Sequence, residues 1–119
     1  FRIYTEAILT NYCKINKFQY KQGLNEVLAP FLLLKAKLNI SLSKVYNLFS
    51  CFIGRFLTNY YIENDFYSLQ SVLSLLNVLL KYHNPMLFYI LEYSMISPEM
   101  YATSWILTMY SSKCKLEIV

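Results

Sequence analysis

Apolar residues recur every three or four positions along most of this chain, and that spacing places them on one face of an α-helix. No stretch shows a convincing alternation of apolar and polar residues, which would mark a half-buried strand. The clearest run follows the full i, i+3, i+4, i+7, i+8 series: Val45, Leu48, Phe49, Phe52, Ile53, Phe56 and Leu57. The pattern therefore predicts an all-α fold, an irregular multi-helix domain.

Capping residues and helix breakers divide this pattern into about six helices. A helix over residues 4–15 begins near Thr5, a suitable N-cap. The next helix, residues 24–37, contains Pro30, which removes one backbone hydrogen bond, so we expect a kink or a fresh start there. A polar loop with a cap follows, and the third helix begins at Lys44.

The second half of the chain begins with a predicted connector over residues 59–64. Asn64 or Asp65 is the expected cap of a long helix over residues 66–82. Because that helix is apolar nearly all round, we expect it to lie at the centre of the domain.

Two prolines mark the remaining boundaries. The His-Asn-Pro sequence at 83–85 ends the long helix, because the residue before a proline avoids the helical region. A short helix over residues 86–93 follows, and a Ser-Pro pair then starts a final helix over residues 98–111. In that helix Tyr101 and Trp105 are predicted core residues, and the histidine at 83 is predicted to cap a helix or to lie in the core.

The composition raises the question of a membrane, since 56% of the residues are hydrophobic and 18% are aromatic. The longest run without charge, residues 66–80, has 15 residues and is interrupted by serine, glutamine and asparagine. A membrane-spanning helix needs about 20 predominantly apolar residues. We therefore expect no transmembrane segment, and a cytoplasmic protein with membrane-surface contact as the alternative.

The net charge is +4, and six of the nine lysines lie between positions 14 and 44, where Glu26 is the only acid. This cluster is either a solvated face or a patch that steers an acidic partner or an anionic lipid. No arginine-rich or aromatic-interleaved pattern indicates nucleic acid. The three cysteines are odd in number and lack metal-ligand spacing, which favours reduced thiols and no metal site.

The 119 residues have room for one domain. The chain begins at Phe1 and stops at Val119 without a tail. We therefore expect residues 1–119 to be part of a longer domain that continues at both ends.

A polar segment over residues 20–25 stands directly before a strongly apolar run and is the leading candidate for chemistry. Gly23 marks a place where the backbone turns sharply or approaches another group closely. Gln22 carries an amide that donates and accepts hydrogen bonds, so it can align a water or a phosphate without becoming charged. The prediction is a neutral amide held on a rigid, buried stem.

Two segments carry a family resemblance. Residues 20–32, Y-K-Q-G-L-N-E-V-L-A-P-F-L, resemble the Tyr-x-Gln-Gly-(Met/Leu)-Asn segment of TBC domains, the GTPase-activating modules that act on Rab GTPases. Residues 97–110 are similar to the family's late Tyr-Ala-x-x-Trp-(Phe/Ile)-(Leu/Ile)-Thr-(Leu/Met)-Phe segment. The two stand in the family's order, roughly eighty residues apart, and the resemblance covers essentially the whole chain but not the whole family domain.

The resemblance implies a Rab-type small GTPase as the partner and Gln22 as a glutamine finger that orients the attacking water in that partner's site. It implies that Tyr20 braces the glutamine loop and that Asn25 bonds the loop backbone, with direct GTPase contact as the alternative for both. GTP and magnesium belong to the GTPase. The family's arginine finger stands in an upstream Ile-x-x-Asp-x-x-Arg motif that these residues do not contain, and neither Arg2 nor Arg55 replaces it.

Three functions follow as hypotheses. The first is a GTPase-activating module in vesicle trafficking, in the cytoplasm or at endomembrane surfaces. The second is a TBC-like adaptor that binds without accelerating hydrolysis, as in family branches that have lost their fingers. The third is an unrelated helical interaction module, which would be preferred if the fold did not expose Gln22.

Overall fold

The structure is a computed structural model, and it describes residues 2–62 and 66–114. All regular secondary structure in those residues is helical, which confirms the all-α prediction. The elements in chain order are α1 (Arg2–Asn16), α2 (Leu24–Leu38), α3 (Leu42–Phe52), a π-helical segment (Ile53–Leu57), α4 (Thr58–Ile62), α5 (Tyr67–His83), α6 (Pro85–Tyr93), α7 (Pro98–Tyr101) and α8 (Thr103–Leu107).

Helices α1 and α2 pack against each other as an antiparallel pair joined by residues 17–23. The ammonium of Lys35, near the end of α2, lies 5.2 Å from the centre of the Tyr4 ring near the start of α1. Helix α2 runs through Pro30 without a break, so the fresh start expected there is wrong. Burial holds the helix together across the missing hydrogen bond, because Leu24, Val27, Leu28 and Leu32 all lie in the core.

Helix α3 begins at the predicted polar loop, where the Lys44 amide donates to the Ser41 hydroxyl at 3.3 Å. The predicted apolar series is buried only in part: Val45, Phe49, Ile53 and Leu57 are buried, whereas Leu48 and Phe56 are exposed. Because one turn of an α-helix takes about 3.6 residues, side chains spaced four apart move gradually round the helix axis. The wider turn of the π-helical segment offsets part of that drift and keeps these four residues facing the core.

The connector predicted over residues 59–64 is wrong as far as the structure describes it, because Thr58–Ile62 is helical. The Thr58 hydroxyl donates to the carbonyls of Ile53 (3.1 Å) and Gly54 (2.7 Å), so it supplies a hydrogen bond where the helix changes type. The predicted caps, Asn64 and Asp65, lie outside the described residues.

Helix α5 packs against α4, α6, α7 and α8. Leu69 and Leu73 are buried, but Leu75 and Leu79 are exposed. The helix thus has four packing partners but is not enclosed all round, so the expected central position is met only in part. Among the described residues, the helices that pack against α5 cover only part of its apolar surface.

The boundary at Pro85 matches the prediction. Asn84 caps α6 by accepting a hydrogen bond from the Leu87 amide at 3.1 Å, and Pro85 occupies the first turn. His83 is exposed in the last turn of α5, with its ring centre 5.0 Å from that of Tyr82. It neither caps a helix nor lies in the core, so the prediction for His83 is wrong.

The final helix predicted over residues 98–111 is divided into α7 and α8 by the buried residue Ala102, and turns occupy residues 108–114. Tyr101 and Trp105 are half-buried rather than enclosed, and their ring centres lie 5.3 Å apart. Both pack against a small core cluster.

The described residues form two core clusters. The larger one joins α1, α2, α3, the π-helical segment and α4: Ile8, Leu9, Tyr12, Leu24, Val27, Leu28, Leu32, Val45, Phe49, Ile53, Leu57 and Tyr61. The smaller one consists of Leu69, Leu73 and Ala102. Half-buried Tyr60 packs against both clusters and so connects the two halves of the chain.

Candidate functional site

Gln22 and Gly23 form a tight turn immediately before α2. Gly23 has φ +108°, a conformation that side chains rarely permit, and its carbonyl accepts from the amides of Glu26 (3.0 Å) and Val27 (3.1 Å). Gly23 is also buried: a Cβ added there would lie 3.2 Å from the Tyr61 hydroxyl oxygen and 3.4 Å from the Thr108 γ-methyl. The turn is therefore pressed against α4 and against the segment after α8.

The side chain of Gln22 is exposed at this turn. On either side of it, the Tyr20 hydroxyl donates to the Asn25 side-chain oxygen at 2.9 Å and so ties the two ends of the turn together. The four residues singled out from the sequence, Tyr20, Gln22, Gly23 and Asn25, thus share one turn. The hydrogen bond of Asn25 runs to the Tyr20 side chain, a different partner from the loop backbone expected for it.

Tyr61 packs against the turn at Gly23. Its side chain is 1% exposed, and its hydroxyl donates to the Leu107 carbonyl at 2.6 Å. Burial raises the pKa of Tyr61 well above its ordinary value, and the nearby Tyr20 and Glu26 raise it further. Sequence reasoning missed Tyr61, because it lay in the predicted connector and its partner is 46 positions away.

A groove of about 640 Å³ opens beside the turn. One wall comes from the turn and the start of α2, the other from α8 and the residues after it. The lining residues are Gln22, Gly23, Glu26, Ala29, Thr103, Ser104, Leu107, Thr108, Ser111, Ser112 and Lys113. A groove with hydroxyls, an amide and a charge of each sign is suited to polar or charged groups of a partner.

The hydroxyls of the far wall bond to one another and to the backbone. Thr108, 3% exposed, has its hydroxyl 2.6 Å from the Ser104 carbonyl and donates to it, and the Ser111 hydroxyl donates to the Thr108 carbonyl at 2.6 Å. On the near wall, the Glu26 Oε2 atom is buried and has no hydrogen-bond partner. Sequence reasoning missed Glu26, although it was the only acid within the lysine-rich stretch.

Both arginines of the chain lie away from this groove. Arg2 pairs with Glu6 at 3.0 Å on the exposed start of α1. The Arg55 guanidinium lies 5.5 Å from the Phe56 ring centre in the π-helical segment. Neither lines the groove that contains Gln22. The described part of the chain therefore brings no arginine to the candidate site.

The six lysines of the basic stretch separate into two groups in the fold. Lys21 lies in the turn formed by residues 20–25, called the glutamine turn below, and its ammonium is 4.6 Å from the Phe66 ring centre. Lys35 lies near the other end of α2. From the start of α2 at Leu24, Lys35 lies about 16 Å further along the helix. The single basic patch considered from the sequence is therefore divided between the two ends of the α1–α2 pair.

Other kinds of site were sought in the same residues. Among residues 2–62 and 66–114, no three histidine, cysteine, aspartate or glutamate side chains come together as metal ligands. Within those ranges no helix combines the length and the apolar character that crossing a bilayer requires. Cys13, Cys51 and Cys114 are free thiols, and burial raises the pKa of Cys13.

Comparison with known proteins bears on the whole chain. Residues 5–119 match the family model described as the Rab-GTPase-TBC domain. The "TBC domain-containing protein kinase-like proteins" of Gallus gallus, Mus musculus and Homo sapiens are each 33% identical to it over 92 residues. That alignment covers 77% of this chain and 10% of each relative, so the chain spans about a tenth of their length. No solved structure matches the chain significantly.

Proposed function

The chain belongs to the Rab-GTPase-TBC domain family, and from this premise we propose that it accelerates GTP hydrolysis by a Rab-type small GTPase. Gln22 enters the nucleotide site of the GTPase and orients the water that attacks the γ-phosphate. The observation that carries the proposal is the placement of Gln22: an exposed amide on a turn whose next residue is locked against two other elements.

The chemistry suits a neutral amide on a rigid support. Phosphoryl transfer to water depends on positioning and on stabilising the charge of the transition state, with little covalent assistance from the protein. An amide can donate to one oxygen and accept from the attacking water at the same time. Because the backbone at Gly23 is held in place before the GTPase arrives, less ordering entropy is lost when the complex forms.

The amide supplies only half of the required chemistry. An arginine must neutralise the charge that develops on the γ-phosphate, and such a residue is worth about 10³–10⁵ in rate. We expect it from the upstream Ile-x-x-Asp-x-x-Arg motif of the family, since Arg2 and Arg55 lie elsewhere. GTP and magnesium are bound by the GTPase, and this chain contributes no cofactor.

The first test is single-turnover GTP hydrolysis by a panel of Rab GTPases, with the full-length protein in wild-type and Gln22→Ala forms. We expect acceleration of at least one GTPase and a loss of about 100-fold with Gln22→Ala. Gln19→Ala is the matched control, because Gln19 is an exposed glutamine on the same loop and lies outside the groove lining. Equal rates for wild type and Gln22→Ala would overturn the role of Gln22.

An adaptor that binds a GTPase without accelerating hydrolysis is the second candidate. The described residues bring no arginine to the groove, so the upstream arginine motif decides between the adaptor and the activator. Binding to a Rab GTPase with no acceleration of any panel member would establish the adaptor and exclude the activator. The third hypothesis, an unrelated module, loses its premise because Gln22 is exposed.

We place the activity in the cytoplasm, at endomembrane surfaces in vesicle trafficking. The support is the family alone, because Rab-type GTPases are the partners that the family name states. Fractionation of cells that express the tagged full-length protein tests this placement. Recovery in a secreted or lumenal fraction would contradict it.

A further inference from the structure

The Glu26 carboxylate has an unusual position beside the glutamine turn. It stands in the first turn of α2, three residues after Gly23, and lines the same groove as Gln22. Its Oε2 atom is buried and has no hydrogen-bond partner. Among the described residues it is the one buried side-chain polar atom in that condition.

A buried carboxylate oxygen without a partner is costly, because it has left water and gained nothing in exchange. Such groups in native proteins are normally satisfied by a protein group, by an ordered water or by an ion. The unpaired oxygen of Glu26 therefore needs an explanation beyond the folding of this chain.

The neighbouring donors do not meet this need. The Thr108 hydroxyl donates to the Ser104 carbonyl, and the Ser111 hydroxyl donates to the Thr108 carbonyl, so both protons are already used. Pro30 has no N–H, so the Glu26 carbonyl also lacks the usual donor from one turn further along α2. Lys113 lines the groove but is exposed, and Oε2 has no partner. The Gln22 amide on the same wall can donate, yet Oε2 has no partner, so the carboxylate is left without a donor from these residues.

We propose that Glu26 binds a basic side chain of the GTPase, an arginine or a lysine, next to the point where Gln22 enters. This inference rests on the proposed function, because it assumes that the face with Gln22 meets a GTPase. Oε2 is closed off in the free chain, so a guanidinium or ammonium group reaches the carboxylate after the Glu26 side chain rotates within the groove that it lines, and then gives it a charge-assisted hydrogen bond. Glu26 acts as a positioning residue, since it fixes the register of the GTPase relative to the amide.

The test measures the Kd of the full-length protein for each panel GTPase loaded with a non-hydrolysable GTP analogue. The variants are Glu26→Gln, Gln22→Ala and the control Glu92→Gln, which changes an exposed glutamate of α6 outside this groove. We expect Glu26→Gln to weaken binding about tenfold to 100-fold and Glu92→Gln to leave it unchanged. We expect Gln22→Ala to lose acceleration with a change in Kd below about threefold.

A second readout separates this role from a structural one. Because Glu26 is unpaired in the free chain, Glu26→Gln should leave the Tm of the free protein unchanged or raise it. A double-mutant cycle against alanine substitutions of basic residues on the GTPase should then show coupling to one of them, which would identify the partner side chain.

An unchanged Kd for Glu26→Gln would overturn the inference. A lower Tm with an unchanged Kd would also overturn it, because it would place the partner cation within this protein. These results are independent of the proposed function, which fails if no GTPase is accelerated. Failure of every GTPase to bind would overturn both.

Discussion

At the scale of single residues, the backbone of Gly23 determines where Gln22 can point. The positive φ of Gly23 turns the chain into α2, and the lack of a side chain lets the turn approach Tyr61 and Thr108. The positive φ excludes other residues because it would strain their backbone, and the close contacts exclude them because a side chain would have no space. Gly23 therefore fixes the position of Gln22, the residue that we propose acts on the GTPase.

Gly23→Ala is predicted to destabilise the fold by about 1–3 kcal/mol and to reduce GTPase acceleration, because the new Cβ would sit 3.2 Å from the Tyr61 hydroxyl oxygen in a strained conformation. Urea unfolding monitored by circular dichroism measures the first effect. Gly54→Ala is the matched control: its Cβ would meet no atom within 4 Å, and alanine favours a helix, so stability should stay equal or rise. Equal losses for the two variants would contradict the argument.

The sequence predicted the residues of the glutamine turn but not the residues that support it. Tyr20, Gln22, Gly23 and Asn25 lie within six consecutive positions, so a local motif identifies them together. Tyr61 and Thr108 reach the turn only through tertiary contacts, and no local pattern points from one to the other.

At the scale of elements, Tyr61 is the contact through which α4 holds the end of α8. Its hydroxyl bonds to the last residue of α8, Leu107, while its ring lies in the larger core cluster. This one buried side chain thus connects the larger core cluster to the helix that forms the far wall of the groove. Its protonation state matters for the whole arrangement, because the donated proton makes the bond.

Stability should therefore fall at high pH. Burial raises the pKa of Tyr61 in the folded state, whereas an unfolded tyrosine ionises near about pH 10. Below that pH the contribution of Tyr61 is fully present. Above it the unfolded chain releases a proton that the folded chain retains, so the free energy of unfolding declines as pH rises toward the folded-state pKa.

Urea unfolding at about pH 8 to 11 checks this prediction. Tyr61→Phe should lower stability by about 1–2 kcal/mol at neutral pH, because it leaves the Leu107 carbonyl without its donor, and it should flatten the decline above pH 10. Some decline should remain, since burial also raises the pKa of Tyr12. Tyr82→Phe, at an exposed position, should keep the wild-type slope. An unchanged slope in Tyr61→Phe would rule out this explanation.

Most helix ends could be predicted, whereas changes of helix type could not. Ser41 and Asn84 are caps that act on amides three residues away, so the sequence near them was sufficient. The π-helical segment and the break at Ala102 have no proline or capping signal. They follow from packing, because both keep apolar residues turned toward neighbouring helices that the local sequence does not specify.

At the scale of the whole molecule, the chain is extended. Its radius of gyration is 16.6 Å, whereas a compact domain of this length has about 13.5 Å. Large apolar side chains on α5, α6 and the turn after α6 are exposed as a result: Val78, Tyr82, Met86, Tyr89, Ile90, Tyr93 and Met95. Exposed apolar surface of this kind favours association.

The purified 119-residue chain is therefore predicted to self-associate as its concentration rises, measured by sedimentation velocity. The double variant Tyr82→Lys and Tyr93→Lys should weaken association, because it places charge where the exposed fractions are 80% and 93%. Asn11→Lys with Asn47→Lys adds the same charge at exposed polar positions and is the control. A monomer at all concentrations with a cooperative melt would show that the exposed face does not drive association.

The sequence by itself determined the helical class, most helix boundaries, the family and the glutamine turn. These depend on periodicity, caps and short motifs, which are interactions between residues close in the chain. Only the tertiary structure decided that Tyr61 and Thr108 support Gly23, that one carboxylate oxygen of Glu26 is buried without a partner, and that the basic stretch is divided. Those outcomes depend on which helices meet, because burial and charge separation arise between residues that are distant in the chain.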